Sequence, residues 1–429
     1  MEDTALDFTI ERLGECSIPS PLDGVRFVSD AQRVLYHNSL EEVKKYIDIG
    51  KELPAMEVAG ARKKIFFDPS SLGCGIVTCG GLCPGLNDVI RAVVLSLIHH
   101  YGVKRIYGFQ YGFEGLVARY GHEPIELDLK AVAGIKKLGG TFLGSSRGPQ
   151  EVSEMVDTLE RMKIGILFTI GGDGTLRGSC AINEEIKRRG LKIAVIGIPK
   201  TIDNDVSFID RSFGFLTAGS EARKAIASAH SEASGAINGV GLVKLMGRDS
   251  GFIAAYAVLA DNEVNFCLIP EIPFSLDVFL DALEKRLIRR GHAVIVVAEG
   301  AGQHLLGMTH ERDASGNIRY NDIGIFLREK IKEHFKKIGM ELNLKYIDPS
   351  YIIRSVPADA SDAAFCLLLG HNAVHAGMTG RTNMVVGNWH NEYTHVPISL
   401  AVSKRKKIDP DGRIWSSVRA ATGQPVNML

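Results

Sequence analysis

From Gly73 onward the chain repeats one pattern of hydrophobic and polar positions. A short apolar run rich in β-branched residues meets a glycine-rich or acidic turn, and a stretch with helical spacing follows. CGIVTC (74–79) runs into Gly80, Gly81, Pro84 and Gly85, after which Asn87 opens the helical stretch VIRAVVLSLIHH. KIGILFTI (163–170) meets GGDG and a helix over 176–189, and KIAVIGI (192–198) meets PKTIDND and a helix around 218–229. GVGLVKLM (239–246) meets GRDSG and then FIAAYAVLA, while HAVIVVAEG (292–300) follows the helix SLDVFLDALEKRLIRR. Continuous apolar strands alternating with helices predict parallel-rich sheets covered on both faces, and the number of units suffices for two α/β domains.

Residues 1–71 break this rhythm. Short polar helices such as 40–49 mix with loop-like stretches around Pro19, Pro21 and Pro54, so this part reads as an N-terminal extension used for packing or subunit contact. The expected division is 72–213 as one α/β domain, with part of 355–400 returning to it, 214–354 as a second, and 401–429 as a C-terminal segment. The stretch 303–321 is polar and glycine-containing and reads as a loop or insertion, and the basic run KRKK (404–407) as a solvated helix end or a segment edging a ligand.

Composition narrows the function classes. The 429 residues carry 50 Lys and Arg against 50 Asp and Glu, so no global charge attracts nucleic acid or an anionic membrane. An anionic ligand must be held by local basic residues. No apolar run approaches a membrane span, the acidic start MEDTALDF is no signal sequence, and GQPVNML is neither a peroxisomal nor an ER-retention tail. Seven cysteines show no disulfide framework. Cys74, Cys79 and Cys83 cluster at one turn without the fourth ligand that zinc requires, so buried thiols in a reducing cytoplasm are expected.

Ligands of open α/β sheets sit beyond the carboxyl ends of the strands, and four unusual turns fall there. TCGGLCPGLND (78–88) lets backbone approach a phosphate ahead of a helix N-terminus, though it fits neither the P-loop nor the dinucleotide fingerprint; a tight strand-to-helix turn is the plain alternative. GGDGT (171–175) leaves Asp173 surrounded by bare backbone, as a Mg²⁺ shared with phosphates requires, or as a helix cap requires. In PKTIDND (199–205), an extended backbone would point Thr201, Asp203 and Asp205 to one side, next to Lys200, where a carboxylate could take a proton from an alcohol; Asx caps in a turn are the alternative. MGRDSG (246–251) offers close approach at Gly247 and a planar phosphate fork at Arg248, or a cap at Asp249. Further turns add Arg147, Glu299 and Arg354.

In order, TCGGLCPGLN, LGSSRG, GGDGT, PKTIDND, MGRDSG, AEG and YIIRS resemble the 6-phosphofructokinase family, in the branch of plant and trypanosome ATP enzymes and many pyrophosphate-dependent ones. The resemblance spans Thr78 to Ser355. It implies two Rossmann-like lobes with the active site in their cleft, a homotetramer, allosteric control, and transfer of phosphate to the 1-hydroxyl of fructose 6-phosphate in glycolysis. By motif match it implies nucleotide binding by Gly80, Arg147, Gly148, Gly172, Asp173, Gly174 and Thr175, with Asp173 on Mg²⁺. It further implies Asp203 as the base, Thr201 on the transferring phosphoryl group, Asp205 supporting the metal region and Arg248 on the reacting end. Thr201, Ile202, Asp203, Met246, Gly247, Arg248, Glu299, Tyr351 and Arg354 would hold the sugar phosphate.

Donor choice turns on Gly174 and Lys200. The family's pyrophosphate users typically carry Asp at the position of Gly174, where it would occupy the space of the nucleotide's α-phosphate. Gly174 therefore implies ATP. Lys200 points both ways, because pyrophosphate users and plant and trypanosome ATP enzymes share it. Two departures stand out: Tyr351 replaces a bacterial His, and Gly239 stands where bacterial relatives place an Arg that completes the 6-phosphate pocket of a neighbouring subunit. Lys244 and Lys345 are the nearby cations. The competing readings are a pyrophosphate-dependent enzyme, a different GGDG kinase acting on NAD or lipid, and a non-catalytic regulatory paralogue; the last should lack Asp173 or Asp203, and both are present.

Overall fold

The computed structural model describes residues 6–307, 311 and 319–429. In chain order the strands of its main sheets are β1 (Arg33–Leu35), β2 (Ala55–Val58), β3 (Gly73–Thr78), β4 (Arg105–Phe109), β5 (Ile125–Glu126), β6 (Ile164–Gly171), β7 (Ala194–Pro199), β8 (Gly239–Leu245), β9 (Phe266–Leu268), β10 (His292–Ala298), β11 (Asn343–Ile347), β12 (Met384–Trp389) and β13 (Glu392–Pro397). Two compact units divide them. The first takes in what is described up to Thr201, then Val206–Phe213 and Pro357–Arg405; the second comprises Ile202–Asp205, Gly214–Val356 and Lys406–Leu429.

The first unit holds a nine-stranded sheet in the order β1-β2-β13-β12-β7-β6-β3-β4-β5. Its centre, from β12 through β7, β6 and β3 to β4, is parallel, and antiparallel strands close both edges. The central strands are buried on both faces, which is why their sequences run apolar without alternation. On one face Leu167 and Val195 pack with Met155, Leu159, Ile182 and Ile186 of the helices Val152–Arg161 and Asp173–Arg188. On the other, the helices Leu86–Tyr101 and Ala360–Met378 cross so closely that a Cβ on Gly370 would lie 2.5 Å from the Ala92 methyl. Truncating a buried leucine such as Leu167 to alanine in such a core costs about 2–5 kcal/mol.

The stretch read as an extension supplies β1 and β2 to this sheet and fixes them with a partly buried ionic cluster. The guanidinium of Arg381, 1% exposed, bonds Glu57 at 2.7 Å, Asp30 at 2.8 Å and Thr379 Oγ1 at 2.7 Å. Arg12 reaches Glu57 at 2.8 Å and Asp30 at 2.9 Å, and Arg62 reaches Asp30 at 2.7 Å. Burial works against the charge of Glu57, yet the hydrogen bond from His395 and the Arg381 guanidinium hold its carboxyl well below the usual range. Burial also holds His395 down at about 4, so its ring is neutral.

The second unit holds a four-stranded, wholly parallel sheet in the order β9-β10-β8-β11. Val240, Leu242, Ile295 and Val297 pack on one face with Phe279, Leu283, Leu327 and Ile331 of the helices Leu276–Arg290 and Ile323–Lys337. Toward the helix Phe215–Ser234 a Cβ on Gly241 would lie 2.7 Å from the Ala229 carbonyl oxygen, so glycine admits the close helix–strand approach.

Two local expectations change. Asn87 does not cap its helix: the N-cap is Gly85, left-handed at φ 98°, while the Asn87 amide accepts from Phe142 N–H at 2.6 Å and donates to the Leu138 carbonyl at 3.1 Å. KRKK is no helix end but an extended strap, with Arg405 bridged antiparallel to Val206. Of the expected loop 303–321, Gln303–Leu305 forms a 3₁₀ turn, and residues 308–310 and 312–318 lie outside the described residues. No described helix is long and apolar enough to cross a membrane.

Candidate active site

In the first unit the loops at the carboxyl ends of β3, β6 and β7 join the 141–148 loop. Gly80, left-handed at φ 84°, donates its N–H to the Ser146 carbonyl at 3.1 Å, and its own carbonyl accepts from Ser145 Oγ at 2.7 Å. Thr78 Oγ1 donates to the Gly144 carbonyl at 2.6 Å. Lys200, 6% exposed, donates its N–H to the Gly171 carbonyl at 2.9 Å and its ammonium to the Gly81 carbonyl at 2.6 Å. A Cβ on Gly80 would sit 3.4 Å from that ammonium. Gly80, Gly148, Gly172 and Lys200 thus belong to one set of tied loops, and Arg147 stands exposed at its rim. The sequence pointed to the glycines. It missed Ser145 and Ser146, whose role is visible only once the loops meet.

The helix Asp173–Arg188 begins on Gly172, which has no side chain to cap it. Asp173 is therefore its first helical residue rather than its cap, and the N–H groups of Gly172 to Thr175 lack intrahelical acceptors and suit an anion. The Asp173 carboxylate is 35% exposed and, among the described residues, pairs with Arg177 Nε at 3.4 Å, an exposed pair of little energetic weight. Among the described residues a Cβ on Gly174 would meet nothing within 4 Å, so the space beside Asp173 is open. Thr175 faces inward: a Cβ on Gly171 would lie 2.1 Å from its Oγ1, which obliges glycine there. Burial pushes the Cys79 thiol up to about 12 and that of Cys366 well above its ordinary value, so both are inert.

The expected extended course of Thr201–Asp205 is not observed. Ile202 and Asp203 form a turn, and Asn204 is left-handed at φ 55°, a conformation its short polar side chain tolerates. Exposure alternates all the same: Ile202 and Asn204 are buried, while Thr201, Asp203 and Asp205 are each half-buried. The Thr201 carbonyl accepts from Ser212 Oγ at 2.5 Å.

In the second unit, Met246–Gly251 turns sharply, with Gly247 at φ 143° and Arg248 left-handed at φ 49°. Glu299 Oε1 accepts from the N–H of Arg248 at 2.9 Å and of Gly247 at 3.3 Å, so this carboxylate holds the turn's backbone. A Cβ on Gly300 would lie 2.0 Å from the Arg248 carbonyl oxygen, which fixes glycine in AEG. Tyr320 OH donates to Asp249. Tyr351 is 76% exposed and Arg354 stacks on its ring at 4.7 Å.

The cations near the missing bacterial Arg separate clearly. A Cβ on Gly239 would lie 2.0 Å from the Ala233 carbonyl oxygen, so no side chain fits at that position. Lys244 is committed to Asp322 at 2.7 Å and Asp348 at 2.8 Å; burial opposes its charge, yet those carboxylates raise its pKa well above the usual value. Lys345 is exposed.

Comparisons with known proteins extend this geometry. The Phosphofructokinase family matches residues 73–377. An "ATP-dependent 6-phosphofructokinase" of Borreliella burgdorferi is 49% identical, over 99% of this chain and 98% of that protein. One of Trypanosoma brucei brucei is 46% identical over 98% of this chain and 88% of its own length. "ATP-dependent 6-phosphofructokinase 7" of Arabidopsis thaliana is 46% identical over 95% of this chain and 85% of its own length. Among solved structures, a pyrophosphate-dependent phosphofructokinase of Marinobacter aquaeolei aligns with a TM-score of 0.67 at 21% identity, covering 82% of this chain and 91% of that one, which speaks to the fold alone.

Proposed function

The chain belongs to the phosphofructokinase family, and from that premise we propose that it transfers the γ-phosphoryl group of ATP to the 1-hydroxyl of fructose 6-phosphate, giving fructose 1,6-bisphosphate in glycolysis. The observation that carries this reading is the near-full-length identity, 49% and 48%, to relatives named ATP-dependent 6-phosphofructokinase. The open space at Gly174 supports ATP as donor, because an α-phosphate meets no side chain there.

Each motif takes a role. Gly80, Arg147, Gly148 and the helix N-terminus from Gly172 to Thr175 hold the nucleotide phosphates, and Lys200 adds a cation beside Gly80. Among the described residues no group of three His, Cys, Asp or Glu forms a metal cage. The half-exposed Asp173 with open space beside it fits a Mg²⁺ that draws its other ligands from phosphate and water. Bound there, the metal would neutralise charge on the transferring group.

Asp203 accepts the proton of the 1-hydroxyl as that oxygen bonds to the γ-phosphorus and the bond from phosphorus to the β-phosphate oxygen breaks. A carboxylate is a weak base, but phosphoryl transfer asks mainly for positioning and charge neutralisation. Thr201 faces the transferring group, Asp205 supports the metal region, and Ile202, Met246, Gly247, Arg248 and Glu299 seat the sugar. Tyr351 and Arg354 take its 6-phosphate, joined by Lys345 or a cation from a second copy within a homotetramer, since Lys244 is committed and Gly239 admits no side chain. Seven free thiols suit a reducing cytoplasm. Effector control is proposed on family grounds alone.

The test is a coupled assay offering ATP and pyrophosphate in turn, with fructose 6-phosphate and Mg²⁺. ATP-driven turnover at least about 100-fold above the pyrophosphate rate is expected. Turnover only with pyrophosphate would overturn the donor, and none with either would overturn the reaction.

A further inference from the structure

Within the second unit one short backbone segment ties two chemically important turns together. The peptide group of Lys406 donates its N–H to the Asp205 carbonyl at 2.7 Å, and the Lys406 carbonyl accepts from Ser250 Oγ at 2.7 Å. Asp205 lies two residues beyond Asp203, and Ser250 two beyond Arg248. Both turns contain a left-handed non-glycine residue, Asn204 at φ 55° and Arg248 at φ 49°. Such conformations persist only where the surroundings over-determine them.

Glu271 anchors that segment. Its Oε1 accepts from Ile408 N–H at 2.9 Å, and Oε1 and Oε2 accept from Gly251 N–H at 3.0 and 3.1 Å. Gly251 closes the Arg248 turn and is the N-cap of the helix Phe252–Ala260, to which it brings no capping side chain. Glu271 supplies an acceptor from 20 residues away. The contact is specific: a Cβ on Gly251 would lie 2.9 Å from Glu271 Oε2 and 2.5 Å from Ile269 Cβ, so only glycine lets the carboxylate reach that N–H.

We infer that Glu271 is a positioning residue for phosphoryl transfer, acting through the Lys406–Ile408 strap to hold the turns of Asp203 and Arg248 in one arrangement. The inference rests on the functional reading above. Glu271 works through the backbone N–H groups of Gly251 and Ile408, and Lys406 contributes its N–H and its carbonyl. Displacement of reacting groups by about 1 Å costs on the order of 10²-fold in rate, so loosening this strap should be visible in kinetics.

The experiment compares wild type with Glu271→Ala, Glu271→Gln and Ser250→Ala in the full chain, measuring kcat and KM for each substrate and thermal unfolding. Glu271→Ala should raise KM for fructose 6-phosphate by about 10-fold and lower kcat by about 10-fold, with KM for ATP within about 2-fold. Glu271→Gln keeps an oxygen that can accept both N–H bonds and should recover to within about 3-fold of wild type. Ser250→Ala, which removes one strap bond, should shift the sugar KM in the same direction by a smaller factor. Unchanged sugar kinetics in a folded Glu271→Ala would overturn the inference, as would equal rises in both KM values, or a Glu271→Gln as impaired as the alanine variant. Should Glu271→Ala not fold, Ser250→Ala carries the test, and an unchanged KM for fructose 6-phosphate in that variant would overturn the inference. An inactive wild type would instead sink the functional reading itself.

Discussion

Replacing Gly174 with aspartate separates donor choice from folding. Gly174 is the second residue of the helix Asp173–Arg188, and a Cβ there meets nothing within 4 Å. The side chain therefore enters open space without displacing protein atoms. A carboxylate in the first helical turn gains about 0.3–1 kcal/mol from the helix dipole, and losing a helical glycine gains about as much again. The melting temperature of Gly174→Asp should thus hold or rise. Catalysis should behave oppositely. A new negative charge about 4–5 Å from a nucleotide phosphate, at an effective dielectric constant of about 20, costs about 3–4 kcal/mol. That predicts a loss of about 10²–10³ in kcat/KM for ATP. Pyrophosphate has no α-phosphate to collide with the new side chain, so its use should fall less or rise. A coupled assay with each donor, alongside thermal unfolding, reads both effects. An ATP kcat/KM within about 3-fold of wild type, in a protein of unchanged stability, would refute the reasoning.

Two further predictions concern the first unit. Arg381→Met leaves the buried Glu57 carboxylate without its closest partner and should destabilise by about 3–5 kcal/mol in denaturant unfolding; a change under about 1 kcal/mol would mean the cluster relaxes freely. Burial holds His395 at about 4 and His375 at about 3 in the fold. Below about pH 6.5 the unfolded chain takes up protons that these rings refuse, so stability should fall as pH drops toward 4, by up to about 1.4 kcal/mol per pH unit for each ring. Depressed pKa values at Glu57 and Asp30 extend the loss below pH 4. A melting temperature flat between pH 6.5 and 4.5 would contradict this.

The α/β character is legible in the sequence because β3, β6, β7, β8 and β10 are apolar and buried along nearly their whole length, Lys244 and His292 being the charged or titratable exceptions. The turns at the carboxyl ends of β3, β6 and β7 are legible because glycines and aspartates mark them. What fails is local extrapolation. The alternation of Thr201, Asp203 and Asp205 suggests an extended strand, yet Asn204 turns left-handed and only the exposure pattern survives. Asn87 looks like a cap but pins the 138–142 segment through contacts 51 and 55 residues away. The absent Arg at Gly239 is visible in the sequence, but its cause, the Ala233 backbone, is not. Glu271 and the KRKK strap leave no local signature, since their role rests on hydrogen bonds between side chains and backbone groups 20, 137 and 156 residues apart.

The central claim is that Asp203 takes the proton from the sugar hydroxyl in an ATP-dependent transfer. Steady-state kinetics of Asp203→Asn with ATP, Mg²⁺ and fructose 6-phosphate test it most directly. The account predicts kcat lowered by about 10²–10⁴ with KM for ATP nearly unchanged. Wild-type turnover in a folded Asp203→Asn protein would contradict it.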